Sequence, residues 1–354
     1  MVMKNTLIAL LLLLGLGAGA GYYYWEDYQR FLAMPIDLGE PDPDGEPLIG
    51  KPVILEVPRG EGLRTLASRL EADGLIENAH YLIALAYNRQ QADQIKAGEY
   101  ALTPGMTPAQ LLDQLVSGRS IQYPVTLIEG RTFRDALASI AAEPEFKHEL
   151  EGLSDDEILA ALDLDIEHPE GWFFPDTYLF RRGASDVQVL RRAHERMREV
   201  LDEEWAERSA DLPLTSPYEA LILASVIEKE TALGSERPEI AGVFVRRLQK
   251  GMRLQTDPTV IYGLGADFDG NLRRVDLETD SPYNTYTRSG LPPTPIALPG
   301  RAAIHAALHP EEGETLYFVA RGDGSHHFSA SLDEHNCAVQ RFQRGGDCDP
   351  ARFR

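Results

Sequence analysis

The chain has 354 residues and a formal charge of −22, from 34 Lys and Arg against 56 Asp and Glu. That balance, with no basic stripe to neutralise phosphates, excludes an electrostatic nucleic-acid binder. The length leaves room for two or three compact units, and the only two cysteines, Cys337 and Cys348, support neither a thiol active site nor a zinc knuckle.

Residues 6–25 form twenty positions without a charge. As a helix they span about 30 Å, the hydrocarbon thickness of a bilayer. Tyr22, Tyr23, Tyr24 and Trp25 stand at the exit side like an interfacial belt. Lys4 before the span, with Glu26 and Asp27 after it, places the short N-terminus inside and the bulk outside. The competing reading is a signal peptide cleaved after Ala18-Gly-Ala20, although the apolar run is longer than a usual signal core. Residues 1–25 are thus expected to be a cytoplasmic stub and transmembrane anchor, with the lipid bilayer as a partner. Residues 26–50, rich in Pro, Asp and Glu from residue 33 on, read as an extended linker. The fragment Asp42-Pro-Asp44-Gly45 lacks the downstream Glu and the flanking helices of a calcium loop.

Residues 51–120 read as one unit. A strand at 52–57 precedes a helix at 62–75 carrying Leu63, Leu66, Ala67, Leu70 and Leu75 on one stripe. Asn78 caps a second helix through Tyr87, a strand returns at 98–102, and Thr107 caps a helix at 108–116. The strand–helix–helix–strand order looks like a LysM-type unit, a kind that binds N-acetylglucosamine-containing glycans. A shortened, purely structural version is equally open, and no ligand residues are assigned there.

A strand at 121–128 closes on Glu129-Gly130, and Thr132 starts a helix at 133–141. Residues 145–168 are acidic and helical in pattern, with Ser154 and Glu157 as a capping box. The block Glu170-Gly-Trp-Phe-Phe-Pro-Asp-Thr-Tyr178 is dense in aromatics. Aromatic faces stack on sugar rings, but burial is the plainer reading for Phe173 and Phe174. A long charged helix follows at 187–205.

Residues 216–231 carry a strong helix signal: Ser216 as cap, Pro217 in the first turn, and Glu219 completing a capping box. On a 3.6-residue period Ala220, Leu221, Ala224, Ile227, Glu228 and Thr231 share one side. Glu228 is the misfit on that stripe, and Lys229 points away from it. A carboxyl in an apolar place resists ionising and suits proton donation near neutral pH. Taken alone, the helix favours the blander reading, with Glu228 at the stripe's edge and in solvent.

Arg237-Pro238 is expected to break or bend the chain before a helix at 240–248. Gln255 and Asp257 precede Pro258. Residues 283–299 hold four prolines and must be irregular, with Tyr283, Asn284, Thr285 and Tyr286 offering hydrogen bonds to sugar hydroxyls. A strand at 315–320 pairs with residues 327–330 as a hairpin, and 341–354 is a tail. Cys337 and Cys348 either form a disulfide or stay free. His305 and His309 stand four apart on a predicted helix, but no Glu lies between them as base, so no metal site is assigned. No Gly-x-Ser-x-Gly elbow, Walker loop or dinucleotide fingerprint is present outside the membrane span.

In order, the chain reads Glu228-Lys-Glu230-Thr, Glu236-Arg237, Gln255-Thr-Asp257-Pro, Tyr283-Asn284-Thr285-Tyr286 and Gly290-Leu-Pro-Pro293. Several long motifs in fixed order are far more specific than one short pattern. Their order and wording resemble the endolytic murein transglycosylases, the MltG or YceG-like family, over nearly the whole chain. The resemblance implies an α+β protein: a transmembrane helix, a LysM-like subdomain and a mixed α/β catalytic region at 121–340. It implies that Glu228 is the catalytic residue, and Glu230, Glu236, Gln255, Asp257, Tyr283, Asn284, Thr285 and Tyr286 are candidates for orienting sugar or Glu228. The implied substrate is the peptidoglycan glycan strand, cleaved at the β-1,4 bond between N-acetylmuramic acid and N-acetylglucosamine. The products are 1,6-anhydro ends, which terminate strand elongation. Neither metal nor cofactor enters that chemistry, and peptidoglycan synthases are a candidate partner class. The implied place is the inner membrane, single-pass, with the catalytic part in the periplasm. Two alternatives stand beside it. One is a noncatalytic glycan-binding scaffold, and the other an inverting muramidase with Glu228 as acid and Glu236 or Asp257 as base.

Overall fold

A computed structural model describes residues 2–38 and 53–353. The linker between them, including the fragment at 42–45, lies outside the described residues. The fold is mixed helix and sheet, with short two-stranded pairs among the helices. It divides into two compact units, residues 1–123 with 180–182, and residues 124–179 with 183–354.

In the first unit, α1 (Val2–Ala33) continues past Trp25, so the segment expected to open the linker is helical as far as Ala33. An Asp27–Arg30 pair lies on its last turns, and Phe31 is buried in this unit's core. Leu11, Leu12, Leu13, Leu14 and Leu16 are all exposed, as are Tyr22, Tyr23, Tyr24 and Trp25. Among the described residues no helix is long and apolar enough to cross a membrane. Strand β1 (Val53–Val57) pairs antiparallel with β2 (Gly98–Leu102), Val53 opposite Leu102 and Val57 opposite Gly98. Between them come α2 (Leu63–Ala72) and α3 (Ala79–Asn88), and α4 (Pro108–Ser117) follows. The caps form as read: Asn78 accepts from the His80 N–H, and Thr107 and Gln110 close a reciprocal box. Leu55 and Val57 on one face of β1 join Leu66, Leu70, Leu82, Tyr100 and Leu111 in the core.

The second unit opens with a short pair, β3 (Tyr123–Thr126) against β4 (Thr177–Phe180). Between these strands lie α5 (Phe133–Ala141) and α6 (Asp155–Leu162), both closed by capping boxes. Only α6 of the acidic 145–168 stretch is α-helical. Then come α7 (Asp186–Ala206), α8 (Pro217–Glu230), α9 (Arg237–Gln249), α10 (Asp257–Leu264), α11 (Arg274–Glu278) and α12 (Arg301–Leu308). A hairpin of β5 (Tyr317–Ala320) and β6 (His326–Ser329) precedes α13 (Leu332–Gln343). Cys337 and Cys348 form a disulfide that staples the tail to α13.

Helix α8 organises this unit, though not as a one-sided stripe. Every residue from 220 to 227 is buried, because α7, α9, α10 and α12 pack around it. A helix apolar on all sides belongs in the middle of a core. Burying each Leu, Ile or Val in it contributes about 1.5–3 kcal/mol. Its polar exception, Ser225, is satisfied by donating to the Ile222 carbonyl and accepting from the Ile296 N–H. The cap also departs from the expected box. Ser216 accepts from the Glu219 N–H, but the Glu219 carboxylate reaches back to Thr215 instead of Ser216. Pro238 does not break the chain either. It sits in the first turn of α9, where a missing N–H and fixed φ are harmless. The 170–178 aromatics are core residues: Phe173 is fully buried and stacks on Phe133, and Trp172 stacks on Tyr218.

Candidate active site

The buried body of α8 ends at Ile227, and Glu228 is the first charged side chain where the helix leaves the core. Its side chain is 5% exposed. One oxygen pairs with the Arg237 guanidinium at 2.8 Å, and the other accepts the Gly300 N–H at 3.0 Å. Arg237 is the first residue of α9, and Gly300 caps the N-terminus of α12, so two further helices start at this carboxyl. Burial pushes the Glu228 pKa up, and the nearby Glu129 carboxylate adds to that. The Gly300 N–H and Arg237 pull the other way, but burial wins and the carboxyl stays above the ordinary range. Among the described residues the buried Arg237 Nε has no hydrogen-bond partner.

The turn after β3 closes over the same place. Gly130 N donates to the Leu298 carbonyl at 2.9 Å, and Leu298 N donates to the Arg131 carbonyl at 2.8 Å. Lys229 does not turn to the opposite side as its helical position suggested; it donates to the carbonyl of Gly130 at 3.1 Å, the residue whose Cβ position also lies 3.8 Å from the Glu228 Cγ.

Other predicted residues gather on the far side of the α8 terminus. The Glu230 carboxyl accepts from the Thr256 hydroxyl. Burial raises its pKa to about 7, with Asp257 adding to the effect and Thr256, His326 and Arg247 opposing it. Thr285 is buried and hydrogen-bonds Thr256 and Thr259. Asp257 opens α10 and accepts the Tyr286 hydroxyl at 2.5 Å. Gln255 has an exposed side chain and a backbone at φ +52°, left-handed space that a non-glycine residue enters at a cost of about 1 kcal/mol or more. Its N–H donates to the Thr285 carbonyl, so the 255–257 and 283–286 segments are tied together.

Three candidates are spent within the fold. Asn284 is buried, and its amide donates to the carbonyls of Asp276, Leu277 and Thr279 while its oxygen accepts from Tyr286 N. It thereby satisfies carbonyls left over at the end of α11. Glu236 has both oxygens on His326, one on its N–H and one on its ring, at 2.9 and 2.7 Å. Tyr283 packs edge-on against Tyr262 and bonds the Thr294 hydroxyl.

Four residues of consequence were not among the candidates. Arg237 stood in a quoted motif beside Glu236, and its place at a helix start aims it at Glu228. Glu129 and Gly300 gave no sequence signal, because their closeness to Glu228 depends on loop packing. Glu170 did carry one, being a carboxyl among aromatics, the same misfit that singled out Glu228. It is 3% exposed, accepts from Phe133 N at 2.9 Å and the Tyr262 hydroxyl at 3.1 Å, and burial raises its pKa to about 7.

Among the described residues one group could hold a metal: Glu204, His305 and His309, whose ligand atoms lie within 4.8 Å of one another. The carboxylate missing between the two histidines is supplied by α7, out of reach of sequence spacing. Glu204 already takes Arg301 and His305, each at 2.8 Å, and His309 Nε2 donates to the Glu207 carbonyl. These bonds make the group an ion-paired clamp between α7 and α12.

The YceG-like family model matches residues 55–341 of this chain, which include every element of the Glu228 site. The chain belongs to the YceG-like family. It is 33% identical over 309 residues to a protein of Bacillus subtilis named endolytic murein transglycosylase, covering 82% of this chain and 84% of that one. A Streptococcus pneumoniae protein of the same name is 27% identical over 324 residues, and the match spans 57% of its length. The crystal structure of a YceG-like protein from Listeria monocytogenes superposes with a TM-score of 0.52 at 31% identity, covering 80% of this chain and 97% of that one.

Proposed function

We propose that this YceG-like protein is an endolytic lytic transglycosylase of peptidoglycan, with Glu228 as its acid and then its base. The observation that carries the reading is the state of Glu228: buried, pKa raised, and placed at the junction of three helices within the family region. The names of the relatives supply the substrate class. The Glu228 carboxyl gives its proton to the glycosidic oxygen as the bond from C1 breaks. The carboxylate left behind takes the proton of the muramic acid's own 6-hydroxyl, whose oxygen bonds to C1. Proton and bond count are restored, and the product carries a 1,6-anhydro end. An intramolecular hydroxyl takes the place of water, and its high effective concentration removes the need for a carboxylate nucleophile. The inverting alternative needs a free second base. Its two sequence candidates are engaged elsewhere, Glu236 by His326 and Asp257 by Tyr286.

The Glu230, 255–257 and 285–286 cluster is read as a support for the end of α8 that carries Glu228, with Arg237 Nε turned to an acceptor on the substrate. Residues 6–25 are read as a single membrane anchor, supported by their lack of charge and the exposed leucines of α1, with residues 26–354 in the periplasm. Nascent strands leaving peptidoglycan synthases are the substrate that such a tethered site would meet. The β1–α2–α3–β2 unit is read as LysM-like on element order alone.

Mass spectrometry of digests of purified peptidoglycan tests the activity. The full-length protein should release fragments with anhydro ends, and Glu228→Gln should lower that rate about 10²–10⁴-fold while the protein still folds. Reducing ends in place of anhydro ends would establish the hydrolase. An undiminished rate in the variant would remove Glu228 from the chemistry.

A further inference from the structure

The two sequence candidates for a second carboxylate are turned to other partners, but a third carboxylate stands beside Glu228. Glu129 lies in the turn after strand β3 and is exposed. Its neighbour Gly130 lies against the catalytic side chain, since a Cβ built on Gly130 would sit 3.8 Å from the Glu228 Cγ. A second tether runs through Gly300. Its N–H holds one Glu228 oxygen at 3.0 Å, while a Cβ on the same residue would fall 2.1 Å from a Glu129 oxygen. One residue therefore touches both carboxyl groups, and by standard bond lengths their nearest oxygens stand no more than about 8 Å apart. The bonds between Gly130 and Leu298 and between Leu298 and Arg131 fix the two loops, and Lys229 clamps the Gly130 carbonyl. Only glycine at 300 allows this approach, because any side chain would occupy the place of the Glu129 carboxylate.

We propose that Glu129 is the charge partner of Glu228: an exposed carboxylate, seated against Gly300, that keeps the catalytic carboxyl in its proton-bearing form. It is a positioning residue, acting through Glu228 and making no bond to the sugar. The need for one is set by the groups around Glu228. Arg237 from α9 and the N-terminal end of α12 at Gly300 both favour the ionised form. Lys229 on the same helix is turned to the Gly130 carbonyl, and Glu230 is turned to Thr256. Burial already favours the protonated form, and a negative charge adds to it against the pull of the cation and the N–H. Glu129 supplies that charge from the third side, in line with the like-charge effect it exerts on Glu228.

The inference rests on the proposed acid–base role of Glu228, and the loss of anhydro product in Glu228→Gln, set against its formation by the wild type, checks that role separately. The test is the pH profile of kcat/KM for full-length protein on purified glycan strands, whose alkaline limb reports the free enzyme's essential acid. Removing one exposed charge at this distance should move that limb to lower pH by about half to one unit in Glu129→Gln. Glu129→Asp, which keeps the charge, should return the limb toward the wild-type position. High salt should shrink the difference between wild type and Glu129→Gln by screening. Products should remain anhydro-ended in every variant. An alkaline limb unmoved in a folded Glu129→Gln protein would overturn the proposal. So would total loss of turnover at every pH with the melting temperature unchanged, since that would make Glu129 a bond-making group.

Discussion

Glu170 offers a quantitative test of how this fold treats buried carboxyls. It is 3% exposed, and among the described residues no cation is bonded to it; its partners are the Phe133 N–H, the Tyr262 hydroxyl and the Gly171 N–H. Burial lifts its pKa from 4.5 to about 7. Between those values the folded protein binds more protons at this site than the unfolded chain does. Stability therefore falls as pH rises through that window, and stays lower above it. At 1.36 kcal/mol per unit, the full penalty is about 3 kcal/mol, reached above the folded pKa. Glu170→Gln keeps an oxygen for the Phe133 N–H, and the Tyr262 hydroxyl can turn to accept from the new amide. The variant should match wild type near pH 4.5 and exceed it by about 3 kcal/mol near pH 9. Guanidinium unfolding of detergent-solubilised full-length protein, followed by tryptophan emission, reads this directly, since Trp172 is two residues away. A stability difference that stays flat from pH 5 to 9 would refute the reasoning.

Two further outcomes follow from the geometry. Gly300→Ala puts a methyl group where the Glu129 carboxylate lies; because that carboxylate is the exposed end of a flexible side chain, it should swing aside at little cost in stability and move the alkaline limb of activity as Glu129→Gln does, and an unmoved limb would show that the seat at Gly300 does not place the charge. Residues 6–25 as an anchor predict that full-length protein stays with membranes after an alkaline wash, and recovery in the wash supernatant, or a mature N-terminus at Gly21, would defeat it.

What the sequence made legible here tracks the range of each interaction. The caps at Asn78, Thr107, Thr132 and Ser154 rest on contacts two or three residues away, and all formed. The β5–β6 hairpin and the order of α2 and α3 were equally local. The motif order of Glu228, Gln255–Asp257 and Tyr283–Tyr286 carried the family. The errors came from tertiary packing. A 3.6-residue stripe gave α8 a solvent side, but α12 returns from far along the chain and, with α7 and α9 on either side in sequence, covers it. Asn284 has the chemistry to meet a sugar, yet a buried amide also serves carbonyls at a helix end, and here that demand takes it. Glu204 could not be read as the partner of His305, 101 residues apart.

The two carboxyls that end α8 show why one helix can set the whole site. Glu228 and Glu230 are two residues apart, about 200° around the helix axis, so they must face different neighbours. Glu228 meets the starts of α9 and α12, while Glu230 meets Thr256 before α10. Both are held by a helix whose preceding turns are buried on every side, so neither can swing without moving the core. An acid that must deliver a proton and recover one from a hydroxyl on the same sugar needs such fixity. Thr231 then leaves helical geometry, at φ −142° and ψ 136°, turning the chain toward Arg237. A residue inserted between Glu228 and Glu230 would rotate Glu230 by about 100° relative to Glu228 and separate the two carboxyls from their paired neighbours.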